Sequence, residues 1–427
     1  MNIIITFAFS STGYDSHPIV KQLGKFKDTI GNITAIPLNT EKLKILQFGN
    51  ITLMDSAAFI PHSLEKMTET LKKSQHSFPI LQQWDKAQGQ MDLLLRKGVY
   101  PYEYVTSLQV LKDTTSLPPK SAFHSRLNDA DITDEDYEHA QKVWDHFGCK
   151  NLLDYTKLYN LSDVYLLAES MMHFREWVFS KFQLDFAHYL SLPMLGKDIM
   201  LKMTKEQPQY LHDPEMVQML KSNIRGGVSY INTRLLDVTK ADNESIIYLD
   251  ANNLYGKAMK YAMPYGDYEW MSRKECDEFD VKTMVDDSKE IGYILEVDLR
   301  YPKKLHRAHN SFPLAPENIE ITDKDLSPYS LECHAKIHGK GKHRAKKLTS
   351  TFRDRKNYVL HGQNLQLYLE LGMELVHIHR AIKFKQKAFV APYIDFCMRE
   401  RQKAKTTAEK DNMKLLSNSL YGKVSET

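Results

Sequence analysis

Apolar and polar positions follow two rhythms along this chain. In the first 70 residues the apolar runs are short, Ile3 to Phe9 and Ile45 to Phe59, the second broken at Gly49-Asn50. Such runs, bounded by turn residues, predict strands. Thr133-Asp-Glu-Asp136 then has the form of a helix start, a hydroxyl cap followed by acids in the first turn. Tyr137, Ala140, Val143, Trp144 and Phe147 recur after it at helical spacing. A second helix is predicted over 152–182, carrying Leu158, Leu161, Met171, Phe174 and Trp177. Strands followed by helices imply a compact α/β domain over the first 200 residues. A boundary falls within 205–235, where Asn223-Ile-Arg225-Gly226-Gly227 interrupts the helical pattern. Ser245 to Leu249 predicts a strand leading into Asp250, and Gly292 to Leu299 a neighbouring strand. Residues 302–348 are rich in proline, glycine and histidine, and from about Asn364 the pattern reads as helix to the end. The chain has no internal repeat.

Composition narrows the class without choosing a partner. With 427 residues, 42% of them hydrophobic, the chain can bury a large core in two or three domains. Charged residues make up 26% and the net charge is +3, so any nucleic-acid surface must come from the distribution of charge rather than its sum. Cys149, Cys276, Cys333 and Cys397 lie far apart, which supports neither a disulfide framework nor a Cys-x2-Cys zinc site and makes a reducing compartment, such as a nucleus, the expectation. Met1 to Phe9 is apolar but short and lacks a basic flank, so it reads as a strand and not as a signal peptide. No apolar run approaches the ~20 residues that span a bilayer. A soluble chain with no membrane partner is expected.

Candidate chemistry concentrates near the C-terminus. Lys414, Asn418 and Tyr421 stand at i, i+4 and i+7, one stripe of a helix, while Met413, Leu416 and Leu420 form an apolar stripe that would anchor it. A cation, an amide and a ring on one face suit a nucleoside triphosphate: phosphate, hydrogen bond and base stack. The spacing alone also describes an ordinary amphipathic helix ending at Gly422. The literal string Lys414-Leu-Leu-Ser-Asn418-Ser-Leu-Tyr421-Gly422 is more specific. It resembles the Lys-x3-Asn-Ser-x-Tyr-Gly motif B of family B DNA polymerases, particularly the protein-primed kind.

Further segments carry the same resemblance in the same order. Asp250-Ala-Asn-Asn253-Leu-Tyr255, about 160 residues upstream of motif B, resembles motif A. Phosphoryl transfer by two metal ions ~3.5–4 Å apart needs rigidly placed carboxylates, here Asp250, with Tyr255 as the floor of a sugar pocket. Arg225-Gly226-Gly227 resembles the family's template-tracking Gly-Gly motif, its glycines allowing close approach of a phosphate. Tyr159-Asn-Leu-Ser-Asp163 resembles the Exo III motif of proofreading exonucleases, with Asp163 a metal ligand and Tyr159 orienting water. Leu161, Val164, Leu166 and Leu167 surround this pair in sequence, and a carboxylate among apolar neighbours needs a reason. Gly13-Tyr14-Asp15-Ser16-His17 resembles Exo II, with Asp15 the matching ligand, although Ser10 or Ser11 takes the place of its asparagine. Ser63-Leu64-Glu65-Lys66-Met67 resembles the Ser/Thr-Leu motif that handles the frayed primer end. Arg401, thirteen residues before Lys414, resembles the basic residue that meets the incoming triphosphate, with Arg399 and Lys403 competing for the role. Leu95-Arg-Lys-Gly-Val-Tyr-Pro-Tyr-Glu103 is similar to a further family stretch.

The resemblance implies a mixed α/β fold, an RNase H-like 3′–5′ exonuclease domain followed by a family B palm and fingers, without a thumb. Its domain map is exonuclease-like 1–200, a linker 201–235 with Arg-Gly-Gly, palm 236–300 with motif A, an insertion 301–360 and fingers 361–427 with motif B. It also implies Mg²⁺ (or Mn²⁺), primer–template DNA, deoxynucleoside triphosphates and a terminal-protein primer, in the branch carried by Polinton/Maverick transposons, related viruses and linear plasmids. The basic run Lys336, Lys340, Lys342, Arg344, Lys346 and Lys347 reads as a flexible glycine-spaced loop, or as a contact for duplex phosphates or a priming protein. Cys333, His334, His338 and His343 lie close together but fit no standard zinc spacing. The Asp-x-Glu of Exo I, expected ahead of Exo II, does not precede Asp15, and the Asp-Thr-Asp of motif C does not occur. The expectation is therefore a piece of a longer polymerase, or a degenerate copy, that does not polymerise alone and retains DNA or terminal-protein binding.

Overall fold

The fold described here is a computed structural model, covering residues 4–8, 16–26, 31–37, 39, 42–85, 89, 91–229, 245–286, 288–339, 344–404 and 406–424. The chain forms two compact units, one running to Met203 and resuming over Asp395–Val424, the other spanning Thr204–Ile394.

In the first unit β1 (Ile4–Ala8) pairs parallel with β4 (Ile51–Asp55), while β2 (Ile33–Pro37), β3 (Leu43–Phe48) and β4 make an antiparallel meander, in the order β1-β4-β3-β2. The break at Gly49-Asn50 is the turn between β3 and β4. Helix α1 (Ser16–Leu23) follows β1, and after the sheet come α2 (Leu64–Lys73), α3 (Pro79–Asp85), α4 (Leu108–Asp113), α5 (Asp134–His146), α6 (Leu152–Phe182) and α7 (Leu192–Thr204). Thr133 caps α5 as its sequence predicts, accepting the Asp136 amide at 3.1 Å. Helix α6 is the spine. Asn151 caps its start, Gln183 in left-handed backbone closes its end, and Phe174 packs on Phe186 with ring centroids 5.1 Å apart. Glu169 is fully buried on α6, yet both its oxygens are engaged, by the amides of Ile80 and Leu81 at 2.6 and 2.9 Å and by His76 Nε2 at 2.9 Å. A carboxylate at the start of α3 meets free amides there, which is why its burial is tolerated.

The second unit begins with α8 (Pro214–Lys221) and is built on an antiparallel sheet of order β5-β10-β6-β9, comprising β5 (Met263–Trp270), β6 (Ile291–Arg300), β9 (Arg355–His361) and β10 (Glu374–Lys387). Helices α9 (Leu254–Met259), α10 (Arg273–Asp277) and α11 (Val281–Met284) precede β6. On β6, Leu295, Val297 and Leu299 point into the core, while Glu296 and Asp298 alternate with them to the opposite face. Asp298 is itself buried there. Burial raises its pKa, but hydrogen bonds from Lys356, His379 and the Asn357 amide outweigh that and hold it well below the usual carboxylate range.

Three expectations from the sequence are corrected. The helical reading from Asn364 holds for α13 (Gly362–Glu370) but then fails, because fourteen residues form β10. Ile378 and Ala381 lie in one apolar cluster and Ile382 and Phe384 in the other. A strand buried on both faces, with register shifts around His377 and Arg380, loses its period of two and imitates helical spacing. Ser245 to Leu249 is not a strand: Ile247, Tyr248 and Leu249 are 75, 94 and 85% exposed. Strands exist only in pairs, and no described segment offers this one a ladder. The stretch read as a flexible basic loop holds a hairpin of β7 (Glu317–Thr322) and β8 (Arg344–Thr349) with α12 (Pro328–His338) between them. Lys336 lies on α12 and Arg344, Lys346 and Lys347 on β8, while Lys340, Lys342 and His343 lie outside the described residues. Helix α14 (Ala391–Lys403) runs from the second unit into the first, where α15 (Thr407–Val424) ends the description.

One arginine holds this hairpin segment to the sheet. Arg355, fully buried, donates to the carbonyls of Ala315 at 2.7 Å, Thr351 at 2.9 Å, Leu314 at 3.3 Å and Arg353, and faces Glu317 at 3.3 Å. Replacing it with leucine leaves these carbonyls unpaired. Arg355→Leu should cost roughly 3 kcal/mol in denaturant unfolding. A loss under ~0.5 kcal/mol would show that the segment is held some other way.

Candidate functional site

On α15 the two stripes separate as the spacing predicts. Met413, Leu416 and Leu420 are buried, which turns Lys414 outward, leaves Asn418 half-buried and exposes Tyr421 to 44%. Arg401 and Lys403 are exposed in the last turn of α14, Arg399 is exposed just before it, and Lys403 lies 3.4 Å from Glu400. Glu400 also holds Lys181, more closely, at 2.7 Å.

In the second unit, Asp250 lies at the end of the exposed 245–250 segment. Three residues on, Asn253 takes left-handed backbone (φ 55°) and caps α9, accepting the Gly256 amide at 3.2 Å. A Cβ at Gly256 would come within 2.3–2.7 Å of the Asn253 side chain, so a side chain there would displace the cap. The turn fixes the start of α9 and puts Tyr255 in its first turn, 54% exposed. Arg225 is occupied within its own unit: its guanidinium lies 4.1 Å over the Tyr358 ring and donates to the Val359 carbonyl. Gly226 and Gly227 are exposed, with open space where a Cβ would project.

On α6 the Exo III-like pair forms a tyrosine cluster. Tyr159 is buried, its hydroxyl 2.7 Å from that of Tyr102 and its ring 5.0 Å from Tyr100. Gly98 makes room for that ring, since a Cβ there would sit 3.1 Å from Tyr159 Cδ2. Burial, the Tyr102 hydrogen bond and the Asp163 charge push the Tyr159 hydroxyl far above its ordinary range. Asp163 Oδ1 is buried without a hydrogen-bond partner. Burial raises its pKa, opposed by the Lys97 charge and the Tyr159 hydroxyl. The apolar surround is smaller than its sequence implies, because Leu161 and Val164 are 43 and 61% exposed while only Leu166 is fully buried. Tyr102, Gly98 and Lys97 are the residues that motif matching passes over. All three lie in the Leu95 to Glu103 stretch, whose likeness to the family was the available signal.

Asp15, Ser10 and Ser11 lie outside the described residues. Ser63 caps α2, accepting the Lys66 amide at 3.3 Å, and Leu64 is buried in the core, so both have structural duties. Cys333, His334 and His338 sit on α12, the two histidine rings 5.0 Å apart. Among the described residues no group of three or more His, Cys, Asp or Glu side chains could hold a metal ion, and no helix is long and apolar enough to cross a membrane.

Comparison with known proteins agrees with the family resemblance. The family profile of DNA polymerase type B, organellar and viral, matches residues 2–425, and the chain belongs to that family. The likeness to protein-primed family B polymerases read from the sequence is thereby borne out. Among solved structures, the chain is similar to phi29 DNA polymerase in an orthorhombic crystal form, with 15% identity and a TM-score of 0.52, covering 99% of this chain and 60% of that one. It is also similar to phi29 DNA polymerase complexed with primer-template DNA and incoming nucleotide substrates, with 15% identity, a TM-score of 0.52 and coverage of 98 and 59%. These likenesses show a shared mixed α/β fold. The chain spans about three-fifths of the length of these polymerases. No curated protein sequence matches it.

A buried carboxylate with an unpaired oxygen costs stability. Because the folded state raises the Asp163 pKa, it binds the proton more tightly than the unfolded chain does. The penalty is then full above the folded pKa and absent below the unfolded one. Asp163→Asn should therefore raise the melting temperature at neutral pH, by a few degrees for ~1 kcal/mol, with the gain vanishing toward pH ~3. A gain independent of pH, or a loss at neutral pH, would contradict this picture of Asp163.

Proposed function

We propose that this chain is the exonuclease-like, palm and fingers portion of a protein-primed family B DNA polymerase, an enzyme of templated nucleotidyl transfer in DNA replication. The observation that carries the reading is the outward face of α15, where Lys414, Asn418 and Tyr421 stand over a buried apolar stripe. Lys414 would neutralise triphosphate oxygens, Asn418 would hydrogen-bond, and Tyr421 would stack beneath the nascent base pair. Arg401, or its neighbour Arg399, would meet the same phosphates. Tyr255 would read the sugar. Arg225, Gly226 and Gly227 would follow the template backbone, with Arg225 leaving Tyr358 when a phosphate arrives, and Ser63 and Leu64 would shape the path of the frayed primer end.

The proposed domain map is the one expected above, exonuclease-like over 1–200, palm over 236–300 and fingers over 361–427 around the Arg-Gly-Gly linker and the 301–360 insertion. The β7–β8 hairpin and α12, with Lys336, Arg344, Lys346 and Lys347, would meet a terminal-protein primer or duplex phosphates.

Divalent metal, Mg²⁺ or Mn²⁺, would activate the attacking hydroxyl and neutralise the charge of the transferring phosphate. Asp163 fits a hard cation, since its unpartnered oxygen is the donor such an ion takes, with Tyr159 beside it and Asp15 as the expected second ligand. Asp250 supplies one carboxylate on the polymerase side. The 427 residues contain no Asp-Thr-Asp for a second, and on this reading the chain binds primer–template and nucleotide without extending the primer.

Three outcomes test the reading. With primer–template present, the chain should bind a fluorescent deoxynucleoside triphosphate, and Lys414→Ala should weaken that at least ~10-fold, the loss of a charged phosphate contact, while DNA affinity changes little. DNA binding itself should fall steeply with salt. In a longer product that includes Asp-Thr-Asp, Asp250→Ala should abolish extension and spare DNA binding. Nucleotide affinity unaffected by Lys414→Ala, or extension unaffected by Asp250→Ala, would overturn the assignments.

A further inference from the structure

Helix α15 touches α2, the helix that opens with Ser63-Leu64, through one charged contact. Lys66 Nζ lies 3.0 Å from Asp411 Oδ2. His62 Nε2 is 3.7 Å from the same oxygen. The histidine does not carry the pair: burial first, and the Lys66 charge second, lower its pKa against the pull of Asp411, and its Nε2 is buried without a hydrogen-bond partner. Lysine is thus the cation that Asp411 meets.

The position of Asp411 on α15 gives the contact its meaning. Asp411, Lys414 and Asn418 stand at i, i+3 and i+7, so the anchor lies on the same stripe as the outward-facing residues, one turn ahead of Lys414. Packing beneath this end of the helix is incomplete. A cavity of about 50 Å³, lined by His62, Met67, His173, Trp177, Thr406 and Asn412, lies between α2, α6 and the start of α15. Where the apolar seat has a gap, side chains do not define the helix position closely, and an ion pair can select among neighbouring ones.

We propose that Lys66 and Asp411 are positioning residues that set the nucleotide-facing stripe of α15 against α2, so that the Ser-Leu motif helix governs how Lys414 and Asn418 are presented. This rests on the reading of α15 as the nucleotide-binding helix. Neither residue touches substrate on this account. Ser63 caps α2, Leu64 anchors it, and Lys66 carries its position to α15 within the same unit.

The experiment is a charge-swap cycle on the full chain with primer–template, read in two ways. The first reading is hydrogen exchange of the α15 amides. Lys66→Glu and Asp411→Lys should each speed it about two- to five-fold, the range of a partly exposed ion pair. The double swap and the conservative Lys66→Arg should restore it. The second reading is affinity for the fluorescent nucleotide, which should fall and recover in step, while DNA affinity stays level. Exchange that recovers in the double swap without any nucleotide binding, even by the unaltered chain, would leave the coupling standing and remove the nucleotide-binding reading. Exchange and affinity that are unmoved by the single swaps, or not rescued by the double, would overturn the coupling. A general loss of folding in the single variants would appear as faster exchange throughout α6 and would not be rescued by exchanging charges.

Discussion

The orientation of α15 depends first on the burial of three side chains. Met413, Leu416 and Leu420 are each within 2% of complete burial, and their withdrawal from water fixes the rotation of α15 about its axis. At about 2 kcal/mol each they outweigh several-fold the ~1 kcal/mol that a partly exposed pair such as Lys66–Asp411 can contribute. Hydrophobic burial therefore decides which face of the helix points outward. The ion pair is left with the smaller adjustment, where a gap beneath the helix leaves its placement loose.

The second unit solves a different problem, holding irregular backbone against a sheet. Its ladder from β5 to β9 buries Leu295, Val297 and Leu299 on one side, and the charged side carries Glu296 and Asp298 in satisfied networks. Arg355 extends that order outward by collecting the carbonyls of the neighbouring turns. The turn after Asp250 is built locally, by the left-handed Asn253 and the absence of a side chain at Gly256. The turn leaves Tyr255 half exposed, and Asp250 ends the exposed 245–250 segment.

How much of this was legible in the sequence follows from which forces act locally. Helix α6 was readable to its ends, since its apolar spacing lies in one continuous stretch. The Thr133 cap and the β3–β4 turn were legible for the same reason. Strand β10 was not, because burial on both faces and shifted register erase the alternation by which a strand is recognised. Ser245 to Leu249 failed in the opposite direction: the run has the composition of a strand, but pairing is a property of two segments. Among site residues, the Lys414 stripe could be read as one helix face from its spacing, and its chemistry from the literal string around it. The burial of Tyr159 could not, because it arises from Tyr102 and Gly98 meeting it across more than fifty residues of chain. The pairing of Lys66 with Asp411, 345 residues apart, left no trace in either local pattern.

The central claim is that the outward face of α15 receives the nucleotide. The most direct measurement is to irradiate the chain with primer–template and a photoreactive deoxynucleoside triphosphate, and to map the adducts by mass spectrometry. The account predicts adducts within 407–424, centred on Tyr421, that an excess of unmodified triphosphate suppresses. Adducts confined to the tyrosine cluster around Tyr159, or scattered adducts that no competitor suppresses, would contradict it.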